Sequence, residues 1–449
     1  MLGVVLACAK MAWAETGVLR AGFAVREITP PVGSEIPGFF KPLYSTGVHD
    51  PLYVVAGVLS NGQTHLALVG VDALCITRPT VEAIRRAVSE QTGIPGAHVL
   101  IGASHTHTGG PIRPSLDGTV DRAYMELVER QTVEAIAAAW AGRASVELGI
   151  GTGREETLSF NRRFLMRDGR EVTHPGKPGS RHHHLIVRPA GPIDPDVGVL
   201  AVRDMGGAVR GIVVNFACHA TVMGGTQTSA DYIGAMRRHL QRRYGADVPV
   251  VFLLGTCGDI TQVNNLSPER QSGPEYCEMF GRRLGEEVAR TIEKLTWSAT
   301  VPLSVHSVPL ELTIREQPDI ERERPSMGLG TGQEEFYARE RELVARERRE
   351  HPIVACEIQA LRIGELGIVA NGSEYFCEYG LRIKAASPLP RTWVVTLANE
   401  WLGYIPTANA FVAGGYEPRT RRGSKFSIDA GQKILEASVK ALEDVRREK

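Results

Sequence analysis

Along the chain, short runs at 66–71, 98–103, 198–202, 211–217, 248–255, 366–370 and 392–398 are almost wholly apolar and lack strict alternation. Strands covered on both faces read this way. Between them, 80–91, 122–140, 232–244, 276–295 and 431–445 repeat their apolar residues at helical spacing. Strands alternating with helices predict an α/β fold. The expected form is one large catalytic domain over 15–449, with stacked mixed β-sheets flanked by helices as an αββα-like sandwich. The stretch 315–350 breaks the pattern, with Arg339, Arg341, Arg346, Arg348 and Arg349 set among Glu340, Glu342, Glu347 and Glu350. Mixed-sign runs of this kind predict a solvated helical insertion held by i,i+4 pairs. The Gly-, Pro-, Arg- and His-rich stretch 151–195 predicts a long loop region, a common home for function.

Charge and cysteine content narrow the class. Lys+Arg and Asp+Glu both number 51, so the basic excess of a nucleic-acid binder is missing. No apolar run reaches the roughly 18–20 residues of a membrane span, which leaves at most a peripheral membrane contact. Residues 1–9 are apolar, and Ala12-Trp13-Ala14 before Glu15 resembles a small-x-small cleavage site. Residues 1–14 therefore read as an export signal, giving a periplasmic or secreted protein; a frayed tail on a cytoplasmic one is the alternative. Cys8, Cys75, Cys218, Cys257, Cys277, Cys356 and Cys377 form no CxxC pair. They read as small buried hydrophobes, with room for one disulfide if the chain is exported.

Candidate chemistry gathers where apolar runs end, the place where α/β sheets bind ligands. The run 99–103 passes into Ser104-His105-Thr106-His107-Thr108-Gly109-Gly110. If that segment stays extended, His105 and His107 share a face and can hold one metal, or divide metal and substrate between them; hydrogen-bonded loop histidines are the plainer reading. The run 212–218 ends at His219, a histidine that needs either a metal or hydrogen bonds. The run 250–254 leads to Gly255-Thr256-Cys257-Gly258-Asp259, where Asp259 either orients a ligand or caps a turn. The run 367–370 precedes Glu374, expected to open a helix reaching Leu381. The run 393–398 leads to Tyr404, either a packing aromatic or a phenol presented to a cation. Two imidazoles, a carboxylate and one further oxygen suit Zn²⁺.

These residues carry a resemblance. Ala21-Gly22 through Ile28-Thr29-Pro30-Pro31, Ser104-His105-Thr106-His107-Thr108-Gly109, Asn215-Phe216-Ala217-Cys218-His219-Ala220-Thr221, Gly258-Asp259 and Gly403-Tyr404-Ile405-Pro406-Thr407 resemble the neutral/alkaline, non-lysosomal ceramidase superfamily. The match runs in order from about Ala21 to the end of the chain. It implies a zinc-dependent amidase with one Zn²⁺ per chain on His105, His219, Glu374 and Tyr404. By the same resemblance His107 faces the scissile group, and a family arginine maps onto Arg162, with Arg163 as competitor and solvated loop arginines as the plain alternative for both. Two departures bear on substrate. Ceramidases carry serine and proline after the Gly-Asp pair, where Ile260-Thr261-Gln262 stands here. They also carry a C-terminal immunoglobulin-like domain, for which the helical ending of this chain leaves no room. The resemblance thus carries zinc amidase chemistry further than it carries ceramide. His182-His183-His184 has no counterpart in it and reads as a surface loop, with a substrate-side role as the sharper alternative.

The expected function is hydrolysis of an N-acyl bond in an acylated small molecule or lipid. A zinc esterase or deacetylase on an acylated sugar or metabolite is the second reading, and a non-catalytic binding protein of the same fold is the third. The sequence gives no oligomeric state.

Overall fold

The computed structural model describes residues 17–115, 118–318 and 333–448. Residues 1–14, expected as an export signal, lie outside the described residues, as do Cys8 and 319–332 of the charged stretch. The main elements in chain order begin with β1 (Arg20–Glu27), β2 (Tyr53–Ser60), β3 (His65–Val71), α1 (Arg78–Thr92), β4 (Val99–Ala103), α2 (Arg122–Ala141) and β5 (Ala144–Arg154). They continue with β6 (Asp196–Asp204), β7 (Val209–Phe216), α3 (Asp231–Tyr244), β8 (Val250–Leu254), α4 (Pro274–Ile292) and β9 (Leu303–Thr313). The last are α5 (Glu334–Glu350), β10 (Ile353–Ile363), β11 (Leu366–Ala370), α6 (Cys377–Ala386), β12 (Arg391–Val395) and α7 (Ala430–Arg447). Every apolar run and helical segment expected from the sequence has its element.

The layers follow from which side chains each strand must bury. One mixed sheet runs in the order β8-β7-β6-β5-β1-β2-β3-β4, and a smaller one in the order β9-β10-β11-β12. Along β3, Ala67, Val69 and Val71 pack with α1 and α2, whereas Leu66 and Leu68 turn to the opposite face. There they meet Leu361, Ile363, Leu366, Ile368 and Trp393 of the second sheet. The period of two thus puts both halves of one apolar strand in a core. The first sheet packs Phe216 and Phe252 against α3 and α4 on its outer face, and α7 covers the outer face of the second sheet. The result is helix, sheet, sheet, helix, as expected. Helix starts and stops obey local chemistry: the Asp121 carboxylate accepts from Tyr124 N at 2.9 Å to cap α2, and Gly93 ends α1 with φ 76°.

The three parallel pairs β3–β4, β7–β8 and β11–β12 send their carboxyl ends to a common place. After β12 the chain stitches both sheets together there: Thr396 N donates to Leu254 O at 2.9 Å, Ala103 N to Leu397 O at 3.1 Å and Asn399 N to Ile101 O at 2.8 Å. The first sheet also curls until β3 meets β8. A Cβ at Gly70 would lie 2.7 Å from the Phe252 carbonyl oxygen and 3.1 Å from its nitrogen. Gly70→Ala is therefore expected to lower stability by about 1–3 kcal/mol through overpacking, read as a fall in the urea midpoint without a change in m-value; an unchanged midpoint would contradict the close approach.

Three local expectations are corrected. Residues 151–195 are not one long loop: they hold the end of β5, short strands Phe160–Asn161 and Glu171–Thr173, and the pair Arg163–Met166 with Ile186–Pro189. Glu374 does not open a helix. It sits in the short strand Ser373–Tyr375, and α6 starts three residues later at Cys377, because pairing with Gly403–Ile405 takes up its backbone. The six described cysteines are buried and unpaired, as small hydrophobes are, with no disulfide among them. No helix among the described residues is long and apolar enough to cross a membrane.

Candidate metal centre

His105, His219, Glu374 and Tyr404, spread over three hundred positions of sequence, come together beyond the strand ends. The backbone does much of the work. Past β4, Ser104 N donates to Val71 O and His105 N to Ala73 O, both at 2.9 Å, so the segment follows the loop after β3. His105 then takes φ 64°, a left-handed conformation uncommon for a residue with a Cβ and often found at functional sites. This corrects the expected extended alternation. The turn at His105, not a strand, directs the imidazoles of His105 and His107 to one place, with ring centroids 4.7 Å apart. His107 N donates to Ala220 O at 3.1 Å, which ties this loop to the one carrying His219. Glu374 and Tyr404 are direct partners in a parallel strand pair, and the register sets their side chains side by side.

Side-chain distances complete the cluster. Glu374 Oε2 lies 3.5 Å from His105 Nε2 and 3.6 Å from His219 Nε2. The Tyr404 hydroxyl is 3.5 Å from His219 Nε2, and His107 Nε2 is 3.3 Å from His105 Nε2. Ligand atoms of His105, His107 and His219 all fall within 4.8 Å of one another. His105 Nδ1 lies 2.7 Å from Leu74 O. A carbonyl only accepts, so Nδ1 carries the proton and Nε2 keeps its lone pair facing the cluster.

Electrostatics favour a cation between these atoms. Burial, reinforced by Arg162, pushes His219 down to about 3. Burial and the neighbouring imidazoles hold His107 well below its ordinary value. Both rings are neutral donors of electron pairs at neutral pH. Burial opposes ionisation of Glu374, but contacts with His105 and His219 outweigh it and keep the carboxyl well below its usual range. Its Oε2 is buried with no hydrogen bond to protein. A buried carboxylate oxygen left without a hydrogen bond is costly by itself, and a divalent cation removes that cost. The donor set of imidazole nitrogen, carboxylate and phenol oxygen fits Zn²⁺.

Arg162, not Arg163, reaches the cluster. Its Nη1 lies 3.3 Å from His219 Nε2, while Nη2 donates to Gly258 O at 2.7 Å and Nε to Glu417 Oε1 at 2.8 Å. Arg163 points away to Glu171 at 2.5 Å and to Glu417 Oε2 at 2.6 Å. Neither is the solvated loop arginine of the plain reading: both are buried. Asp259 touches no imidazole. Its Oδ2 accepts from Asn161 Nδ2 at 2.7 Å and its Oδ1 from Cys377 N at 2.8 Å, which pins the residue before Arg162 and the turn after Glu374. Burial raises its carboxyl to about 6. The run His182-His183-His184 lies in and beside a short 3₁₀ turn and lines no part of the site cavity.

A cavity of about 180 Å³ opens onto the cluster, lined by His105, His107, Glu374 and Tyr404 at its base and by Phe39, Phe40, Phe336 and Trp401 nearer the mouth. Sequence reasoning missed three of its supports: Glu417, Tyr416 and Arg421. Tyr416 packs edge-on against Tyr404 with centroids 5.8 Å apart. The adjacent arginines 162 and 163 were the one available signal, since two buried guanidiniums require a shared anion.

No protein-family model matches the chain, and no curated protein matches it. Solved structures do. A structure described as a ceramidase complexed with C2 aligns at TM-score 0.73 and 16% identity, over 96% of this chain and 75% of that one. The crystal structure of neutral ceramidase from Pseudomonas aeruginosa aligns at TM-score 0.73 and 19% identity over the same shares. The chain described here therefore has the neutral ceramidase fold.

Proposed function

We propose that the protein is a zinc-dependent amidase that hydrolyses an N-acyl bond with metal-activated water. The observation carrying this reading is the convergence of His105, His219, Glu374 and Tyr404 around a carboxylate oxygen with no protein partner. The same four residues are the ligand set implied by the sequence motifs, and both solved neighbours are ceramidases. When bound, Zn²⁺ supplies Lewis-acid polarisation of the acyl carbonyl and lowers the pKa of its water to about 7. The chain's own residues do the rest. His105, His219, Glu374 and Tyr404 would hold the ion. His107 and Arg162 Nη1 donate hydrogen bonds to the oxygen that gains charge as the carbonyl carbon becomes tetrahedral. Glu374 or a neighbouring group would relay the proton from the attacking water toward the departing nitrogen. Asp259 is a positioning residue, holding the backbone beside Arg162 and Glu374. Phe39, Phe40 and Phe336 offer an apolar surface for the acyl chain.

Elemental analysis combined with a substrate screen tests the reading. Purified protein should carry about one zinc per chain and hydrolyse N-acyl amides. A chelator should abolish the activity, and added Zn²⁺ should restore it. Turnover confined to acetylated sugars would replace the amidase reading with the deacetylase one, and a chain that binds no metal at all would overturn both.

A further inference from the structure

Arg421 lines the cavity but has no part in the chemistry above. It is 5% exposed, stacked with its guanidinium carbon 4.1 Å from the Tyr416 ring centroid and 5.1 Å from that of Tyr404. Nη1 donates to Tyr416 O at 2.9 Å and to Arg419 O at 3.2 Å. Nη2 is buried with no partner, and among the described residues no carboxylate forms an ion pair with Arg421. Of the other buried arginines, Arg162 and Arg163 are matched by Glu417 and Arg237 by Asp72, and Arg419 is engaged as well. The acids lining the cavity have their direct contacts elsewhere, although Glu374 attracts Arg421 and Glu340 attracts Arg113 without an ion pair. Glu340 binds Arg422 at 2.6 Å, Glu374 faces the imidazoles, and Glu35 is engaged as well. A guanidinium is permanently charged, and burying it without an anion is strongly unfavourable.

A second unmatched cation stands close by. Arg113 lines the same cavity, forms no ion pair among the described residues, and lies with its guanidinium carbon 5.0 Å from the Trp401 ring centroid. Trp401 and Arg421 line the same part of the cavity wall: the point a Cβ would take at Gly423 is 3.4 Å from Trp401 Cζ2 and 3.7 Å from Arg421 Nε. Two guanidiniums thus line one cavity whose carboxylates have their direct partners elsewhere. Bound Zn²⁺ would add further positive charge.

We infer that the substrate is an anionic acyl compound, one bearing a carboxylate, and that Arg421 with Arg113 receives that group. The inference rests on the amidase reading and narrows it: an N-acyl amino acid fits this chemistry, with its chain against the aromatic side chains of the cavity and its carboxylate on the Arg421 guanidinium. A charge-assisted hydrogen bond to a buried guanidinium supports about 10–100-fold discrimination over a neutral analogue.

N-octanoylglycine and N-octanoylethanolamine differ chiefly in that charge. For the zinc-loaded protein, kcat/KM should favour the glycine amide at least about tenfold, and Arg421→Gln should collapse that ratio to about threefold or less. The variant separates Arg421 from a general attraction of zinc for anions. Arg113→Gln, at a half-buried position, should lower the ratio too, and serves if Arg421→Gln does not fold. A wild-type ratio at or below one, or a ratio that survives both substitutions, overturns the inference. If neither amide is hydrolysed, the amidase reading has failed, and calorimetric binding of the two compounds to zinc-loaded and zinc-free protein decides the anion site alone. Tighter, Arg421-dependent binding of N-octanoylglycine to both forms upholds it; equal binding of the two compounds sinks it.

Discussion

His219→Ala and His105→Ala should each leave a protein that neither retains zinc through dialysis nor hydrolyses an amide. Structural zinc sites are held with about 10–16 kcal/mol over four ligands, so one lost ligand weakens binding by about 100-fold or more. Here the loss reaches further, because Glu374 Oε2 has these two imidazoles as its nearest side-chain neighbours. Removing one leaves the buried carboxylate half supported, and removing the ion leaves it unmatched. The measurement is zinc content by elemental analysis beside amidase rate. A third readout distinguishes a lost site from a lost fold: added Zn²⁺ should raise the melting temperature of the parent protein by mass action and leave those of the two variants unmoved. His183→Ala is the control. It lies in a histidine-rich turn away from the cavity and should keep metal, rate and the zinc-dependent shift. Full metal content and activity in both His105→Ala and His219→Ala would remove the basis of the proposed hydrolase.

What the sequence shows of this site depends on how local each signal is. His105, His219 and Asp259 each follow an apolar run by a few residues, and a run such as 250–254 is long enough to announce a strand and its end. The motifs around Glu374 and Tyr404 are also local, although their direct pairing across two short strands is not. The fold was legible for the same reason where strands are covered on both faces. It was silent for β1, β5, β9 and β10, whose intermediate or exposed positions interrupt the apolar run, and it also passed over β2, which is apolar and buried almost throughout. In β9 the alternation from Val308 to Leu312 carried a period of two, the one signal open to a half-exposed strand. The conformation of His105 had no signal at all, since nothing in Ser-His-Thr-His demands φ 64°. Glu417 and Arg421 were invisible because their importance lies in partners: Glu417 is 255 positions from Arg162, and no carboxylate among the described residues forms an ion pair with Arg421.

Glu417→Gln should produce the largest loss of stability of any single change near the site. The carboxylate is fully buried and joins three groups, accepting from Arg162 Nε at 2.8 Å, Arg163 Nη1 at 2.6 Å and Thr173 Oγ1 at 2.8 Å. Burial raises its pKa, but the two arginines outweigh that and bring it down from 4.5 to about 2. A group whose folded pKa is depressed contributes stability above its unfolded pKa and loses it as pH falls through the folded one. The contribution is complete above about pH 4.5 and fades between there and about 2, and a shift of that size corresponds to about 3 kcal/mol. Breaking a buried pair by deleting one partner costs about 3–5 kcal/mol, which agrees in size. The glutamine keeps the shape and removes the charge, leaving Arg162 without its ion pair and Arg163 with Glu171 alone. Chemical denaturation at pH 7 should therefore show the variant weaker by about 3 kcal/mol or more, while its stability between pH 4.5 and 2.5 should fall less steeply than that of the parent. Activity should drop as well, because Glu417 fixes the Nε edge of the guanidinium whose Nη1 faces His219. A variant as stable as the parent at pH 7, with the same acid slope, would mean that Glu171 and the Gly414 carbonyl suffice for Arg163 and the Gly258 carbonyl for Arg162.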